Sequence, residues 1–189
     1  MIETKKTLRL DDSHFIFIFA GRITRDKGIN ELAEAFFRLA DKNTQIRLLL
    51  VGDFDHGLNP IKNNIKILLM KHPQIIRTGF QPDIRPYLAV ADILILPSYR
   101  EGLPQIVLQA CAMDTPCIVS DITGCNEIIG SENGQLIIPR SAESLYQSMY
   151  QIITNPDQVK KWKAHARTSI IRYDQTLVWK KLLNVYTDK

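Results

Sequence analysis

The stretch ILILPSYREGLPQIVLQA, residues 93–110, reads as a buried strand, a tight loop and a helix in immediate succession. Ile93–Leu96 is a continuous apolar run too short for a helix and without polar alternation, the pattern of a strand covered on both faces. Pro97, Gly102 and Pro104 punctuate the loop, and Pro104 is expected at the first helical position, with the helix running over Pro104–Met113. The same unit recurs outward in both directions. Phe15–Ala20, Ile46–Val51, Ile75–Thr78, Cys117–Ser120 and Gln135–Ile138 are further short apolar or β-branched runs bounded by Gly, Pro, Asp or Asn. Between them, Ile29, Leu32, Ala33, Phe36 and Ala40 recur at helical intervals, and Ile84–Ala91 also reads as a helix. About six strands alternating with helical crossovers predict an α/β fold: a doubly wound, parallel, Rossmann-like sheet. In such sheets ligands bind beyond the carboxyl ends of the strands, which singles out the loops 21–28, 52–59, 79–83, 98–104 and 121–127.

After Pro139 no strand signal remains, and residues 141–187 read as helices, the first over Ser141–Thr154, with breaks at Asn155–Pro156 and near Tyr173–Asp174. The chain is 189 residues long and 45% hydrophobic, enough for one core and close to the size at which a single domain stops growing. One domain over 15–189 is therefore expected, with residues 1–14 as a lead-in. Cys111, Cys117 and Cys125 lack Cys-x-x-Cys spacing and two lie in apolar contexts, which fits reduced, packed thiols in a cytoplasmic protein. No apolar run approaches the length of a membrane span. The net charge of +4 is spread along the chain, which reads as a solvated surface and not as a nucleic-acid-binding arm.

Two loops carry the chemistry. Gly21-Arg22-Ile23-Thr24-Arg25-Asp26-Lys27-Gly28 places guanidinium and ammonium groups between a strand and a helix start, where unpaired N–H groups and the positive dipole end suit a diphosphate. Taken alone, it reads equally as a solvated basic loop. It contains neither a Gly-x-Gly-x-x-Gly fingerprint nor a P-loop. In the second loop, Gly102 lets a ligand approach the backbone closely, the Gly102 and Leu103 amides are expected at the helix start, and Glu101 offers a carboxylate to sugar hydroxyls or to the helix end itself. His14, His56, His72 and His165 lie on different elements, so neither a metal cluster nor a Ser-His-Asp triad assembles, and no metal or other cofactor is expected. Phe36, Phe37, Trp162 and Trp179 sit at helical spacing and read as core or domain-packing residues.

GRITRDKG, VADILILPSYREGLP, QIVLQACAMDTPCIVSD and GCNEIIGSENGQLI, in this order, resemble the C-terminal domain of glycosyltransferase family 4, especially bacterial members that build capsular, O-antigen or lipid-linked glycans. The resemblance runs from about Phe15 to Tyr186 and implies one half of a GT-B architecture. It implies that Arg22 and Lys27, beside Gly21, neutralise the diphosphate of a nucleotide-sugar, mostly a UDP-sugar, while Glu101 contacts the sugar. Gly102 and Leu103 would lie beside sugar and phosphates, and the nucleobase would sit by Phe80-Gln81. The family's second acid, bound to the ribose, falls at position 109, where this chain has Gln109. Gly124 and Glu127 match a small-residue loop near the donor, although Glu127 also reads as an acid in the first turn of a short helix. The reaction implied is retaining transfer to a glycan or lipid-linked acceptor held by a separate N-terminal domain, with any membrane association belonging to the whole enzyme. A chain of this extent alone is expected to bind the donor and to transfer little or no sugar. The altered position 109 keeps a second reading open, a non-catalytic nucleotide-sugar-binding or interaction module.

Overall fold

The computed structural model describes residues 2–55, 57 and 59–187. In chain order the elements are α1 (Ile2–Thr7), β1 (Phe15–Ala20), α2 (Ile29–Ala40), β2 (Ile46–Val51), α3 (Asn63–Lys71), β3 (Ile75–Gly79), α4 (Arg85–Leu88), β4 (Ile93–Leu96), α5 (Gln105–Ala112), β5 (Cys117–Ser120), β6 (Gly134–Ile137), α6 (Ala142–Thr154), α7 (Pro156–Ser169), a 3-10 turn (Ile171–Tyr173) and α8 (Gln175–Thr187). The strands form one parallel sheet in the order β3-β2-β1-β4-β5-β6. β1 and β4 are adjacent and their crossovers depart in opposite directions, so the topological switch point of this doubly wound sheet lies between them. Right-handed crossovers put α2 and α3 on one face and α5 on the other. α6 packs on α2, and α7 packs on α5. Phe17–Phe19, Leu48–Leu50 and Ile93–Ile95 are fully buried, as strands covered by helices on both faces must be.

The C-terminal helices break where the sequence indicates. Ser141 caps α6 by accepting the Ser144 N–H at 3.0 Å, and Pro156 opens α7. Other boundaries differ. Residues 2–14 are more than a lead-in: α1 occupies their first half and Leu10 enters the core. α3 escapes sequence reading because its apolar residues do not form one stripe; Leu69 is buried while Ile67, Leu68 and Met70 are exposed. The helix expected over Ile84–Ala91 shrinks to α4, since by Asp92 the backbone has joined the sheet: the Asp92 N–H donates to the Ile16 carbonyl, and its carboxylate accepts the Ile16 N–H. Pro104 is the N-cap of α5, with an extended ψ of 100°, and not its first helical residue. Strand β3 extends to Gly79, and β6 is shifted back by one residue to Gly134, whose hydrogen lets the strand lie against the Cys117 carbonyl.

Of the aromatic residues read as packing, Phe36 and Trp162 are buried and Phe37 packs half-buried against the core. Trp179 is 57% exposed on α8. The three cysteines are free and buried, Cys111 and Cys117 as their apolar contexts suggested and Cys125 with them. No helix of the described residues is long and apolar enough to cross a membrane.

Candidate functional site

Close backbone approaches bring the loops at the carboxyl edge together. A Cβ at Gly52 would fall 2.0 Å from the Gly21 carbonyl oxygen, so the ends of β1 and β2 touch only because no side chain intervenes. Gly28, the left-handed N-cap of α2 with φ 70°, presses in the same way against the Pro97 carbonyl, locking the loop after β1 onto the loop after β4. The Tyr99 N–H adds a 2.8 Å bond to the Asp26 carbonyl. Gly124, with φ 84°, meets the Gly102 carbonyl, where an added Cβ would stand at 1.8 Å. Three sequence-distant loops thus meet around Lys27, Glu101 and Gly102.

Lys27 Nζ lies 2.6 Å from Glu101 Oε1, and the Glu101 side chain is only 13% exposed. The buried Ser98 hydroxyl donates to the same oxygen at 2.7 Å, so one carboxylate oxygen is held from two sides while the other has no bond of this kind. Arg22, mostly exposed, pairs with Asp55 at 3.0 Å. Both cations that the motif reading singles out therefore rest on carboxylates of the chain, available to exchange for an anionic ligand. Cys125 lies nearby with its thiol pushed up to about 12, chiefly by burial and next by the negative charge of Glu101, against the opposing charge of Lys27. It is protonated at neutral pH and is no nucleophile there.

Beside these loops a cavity of about 530 Å³ opens at the carboxyl edge. Gly21 and Arg22 contribute from the loop after β1, Asp53, Phe54 and Asp55 from the loop after β2, Phe80 and Gln81 from the loop after β3, and Ile106 and Gln109 from α5. Phe80 is 72% exposed at this wall; its N–H donates to Asp53 Oδ1 at 3.2 Å, fixing the two loops against each other. The Gln81 side-chain amide donates back to the Thr78 carbonyl at 3.0 Å, leaving its own carbonyl oxygen as an acceptor.

The structure thus gathers Gly21, Arg22, Gln81 and Gln109 around one cavity and joins Lys27 to Glu101. Gly102, Leu103, Gly124 and Glu127 lie outside the cavity lining. The Gly102 and Leu103 amides precede α5 and are not part of its first turn, because the helix starts only after Pro104. Glu127 is in neither of the settings expected for it in full. Residues 123–128 form consecutive turns and no regular helix, and the Glu127 carboxylate accepts the Gly124 N–H at 3.3 Å. Its carbonyl accepts the Tyr173 hydroxyl at 3.0 Å and an Arg172 guanidinium N–H. Asp53, Asp55 and Ile106 are site residues that sequence reading did not single out, although the loop 52–59 was selected by its place at the strand end. Among the described residues no group of three or more His, Cys, Asp or Glu converges as a set of metal ligands; His56 lies outside the described residues.

Comparison with known proteins follows the same lines. A Bacillus subtilis protein named for teichuronic acid biosynthesis, a glycosyltransferase, is 34% identical over 163 residues, covering 85% of this chain and 38% of that protein. A crystal structure of a glycosyltransferase from Rickettsia africae superposes with a TM-score of 0.86 at 24% identity, over 99% of this chain and 51% of the other. Anabaena HepE, solved in complex with UDP and glucose, superposes with a TM-score of 0.84 at 19% identity, over 100% of this chain and 52% of the other. At these identities the two structures establish the shared fold, a GT-B-type Rossmann-like domain. The chain spans about half the length of these three proteins, or less. The model of the glycosyl transferases group 1 family matches residues 1–169, and the chain belongs to that family.

Proposed function

We propose that this chain is the donor-binding half of a retaining glycosyltransferase of the family 4 type, and that the 530 Å³ cavity takes the nucleoside diphosphate of a UDP-sugar. The observation that carries this reading is the convergence of Arg22, Gln81 and Gln109, from three separate elements, on one cavity beside the Lys27–Glu101 pair. In this reading the nucleobase lies against Phe80 and Gln81, and the ribose faces Gln109, whose amide offers one acceptor and two donors. The diphosphate draws Arg22 from Asp55 and Lys27 from Glu101. Once Lys27 turns to phosphate, Glu101, still held by Ser98, is free to accept sugar hydroxyls. As the sugar leaves, negative charge grows on the diphosphate, and the two cations with the Gly102 and Leu103 amides stabilise it. The Gly124–Glu127 turn keeps the wall behind Gly102 rigid. HepE, of the same fold, was solved with UDP and glucose, which favours a uridine nucleotide among the candidates.

The acceptor, a glycan or lipid-linked saccharide, belongs to a partner domain in the whole enzyme, which works on the cytoplasmic side. The 189-residue chain by itself binds donor and transfers little or no sugar. Calorimetric titration with UDP, GDP, ADP, their sugars and NAD tests the reading. UDP is expected to bind best, and Lys27→Ala and Arg22→Ala each to cost about 1.5–3 kcal/mol, the worth of a hydrogen bond to a charged group. Indifference of UDP binding to both substitutions, or tighter binding of NAD, would overturn it. Gln109 favours a second reading, a non-catalytic module with a weakened ribose contact; absence of any nucleotide binding would select it.

A further inference from the structure

A second cavity, of about 460 Å³, shares no lining residue with the first. It borders Glu31 in the first turn of α2, whereas the first borders Ile106 and Gln109 of α5, so the two lie toward opposite faces of the sheet. Arg25, Arg100 and Arg140 converge on it from the chain segments after β1, β4 and β6. Among the described residues none of the three forms a side-chain ion pair.

Arg140 is held in the left-handed backbone region, with φ 59°. Among the described residues the two other non-glycine positions with positive φ, Arg9 and Asp114, each follow a helix and have an ordinary reason to be there. The next residue bonds back across the last turn in both cases, Leu10 N–H to the Lys5 carbonyl at 2.8 Å and Thr115 N–H to the Ala110 carbonyl at 2.9 Å. Arg140 lies in the Pro139-Arg140 turn between β6 and α6, a position where a positive φ is ordinary for Gly or Asn and disfavoured for a residue with a larger side chain. What it does gain is placement: its guanidinium lies 4.7 Å above the Tyr99 ring. That ring is fixed in turn, its hydroxyl donating to Glu31 Oε1 at 2.8 Å and its N–H to the Asp26 carbonyl. Glu31 Oε2 and Asp26 Oδ1 are buried oxygens without a hydrogen-bond partner, so neither acid is saturated by the protein. Both acids line the cavity, and Glu31 Oε1, which accepts from Tyr99, keeps a second lone pair for a donor there.

Guanidinium groups supply only donors and the two acids only acceptors, so a ligand that satisfies this cavity must carry an anion and hydroxyl groups together. We propose that the cavity binds a sugar bearing a carboxylate or a phosphate. Arg25, Arg100 and Arg140 take its anionic group, and its hydroxyls donate to Glu31 and Asp26. The proposal goes beyond the nucleotide reading and does not depend on it.

The test is a titration of the 189-residue chain followed through its arginine side-chain resonances by NMR, with glucuronate, glucose 1-phosphate, glucose and inorganic phosphate as probes. Saturable shifts at Arg25, Arg100 and Arg140 are expected with glucuronate, with glucose 1-phosphate, or with both, and which of them binds identifies the anionic group. Arg140→Gly, which suits the positive φ and so preserves the fold, and Arg100→Ala should each weaken that binding about tenfold. UDP affinity should be unchanged in both variants, since neither residue lines the first cavity or belongs to the Lys27–Glu101 pair. The proposal fails if neither acidic sugar saturates, if glucose or inorganic phosphate binds as tightly, or if the two variants bind like the parent. Acidic-sugar binding without UDP binding would sink the donor reading and leave this one standing.

Discussion

At position 109 an amide stands at the cavity wall, on the second turn of α5 and exposed to whatever the cavity holds. A carboxylate there would accept from two vicinal hydroxyls with charge assistance, roughly twice as strong as the neutral contact. Gln109→Glu is therefore expected to tighten binding of uridine and UDP severalfold, by about 1 kcal/mol, and calorimetry with the nucleoside and with the nucleotide reads the change. Equal or weaker binding of uridine would place the ribose elsewhere. The same scale shows what a sequence can and cannot disclose. Lys27 and Glu101 are 74 residues apart, yet their pairing could be anticipated, because both stand just beyond the ends of strands that topology makes neighbours. The fate of the Glu127 carboxylate could not, because accepting a local N–H depends on a turn that leaves no pattern in residue type. Asp53 and Asp55 were hidden for a related reason: acids in a glycine-containing loop read as turn punctuation until the fold shows that they face a cavity and, for Asp55, a cation.

Burial made β1, β2, β4 and β5 plain, although β3 and α8, which contain no fully buried residue, were read as well. The six strands announce themselves because each is a short apolar run, and α2 does so because Leu32, Ala33, Phe36 and Leu39 all face the core. α3 did not, for want of a single stripe, and α4 was read as longer than the four residues it has. The two tryptophans separate the elements that hold the fold from one that lies on it. Trp162 of α7 is 5% exposed and donates its ring N–H to the Ser131 carbonyl at 2.8 Å, tying the helix to the turn before β6. Trp162→Ala should cost about 3–5 kcal/mol in urea denaturation, the usual price of emptying a large aromatic site. Trp179→Ala, on the exposed α8, should change stability by less than about 0.5 kcal/mol. A large loss at Trp179 would mean that α8 is packed in solution in a way that its exposed Leu177, Leu183 and Tyr186 do not indicate.

For the molecule as a whole, burial of titratable groups shapes the dependence of stability on pH. His72, packed between Phe36 and Phe37, is held below its ordinary value of 6.5 by burial, against the charge of Asp41. Its folded form resists protonation, so this contribution is present above the unfolded value and is lost as the solution is acidified through the folded one. On the alkaline side the direction reverses. Cys125 is pushed from 9.0 up to about 12, and burial and the neighbouring Cys111 push the Cys117 thiol up as well. Tyr99 is raised from 10.0 to about 12, by burial first and then by its bond to Glu31. Each of these groups keeps its proton longer in the folded chain than in the unfolded one, so between its unfolded and folded values the native state binds more protons and stability falls as pH rises. Below about pH 8 these groups contribute almost no slope, because both states are protonated. The urea midpoint should therefore carry little slope from them between neutrality and about pH 8 and fall increasingly steeply through pH 9, each fully buried group adding up to about 1.4 kcal/mol per pH unit and the partly exposed Tyr99 less. Cys125→Ala removes one of the titrating thiols. Whatever it does to stability at neutral pH, the variant should lose midpoint less steeply than the parent above pH 9, while Cys117 and Tyr99 keep the decline from vanishing. Parallel curves for parent and variant would show that the Cys125 thiol ionises as freely in the folded chain as in the unfolded one, and that the pocket beside Glu101 is open to water.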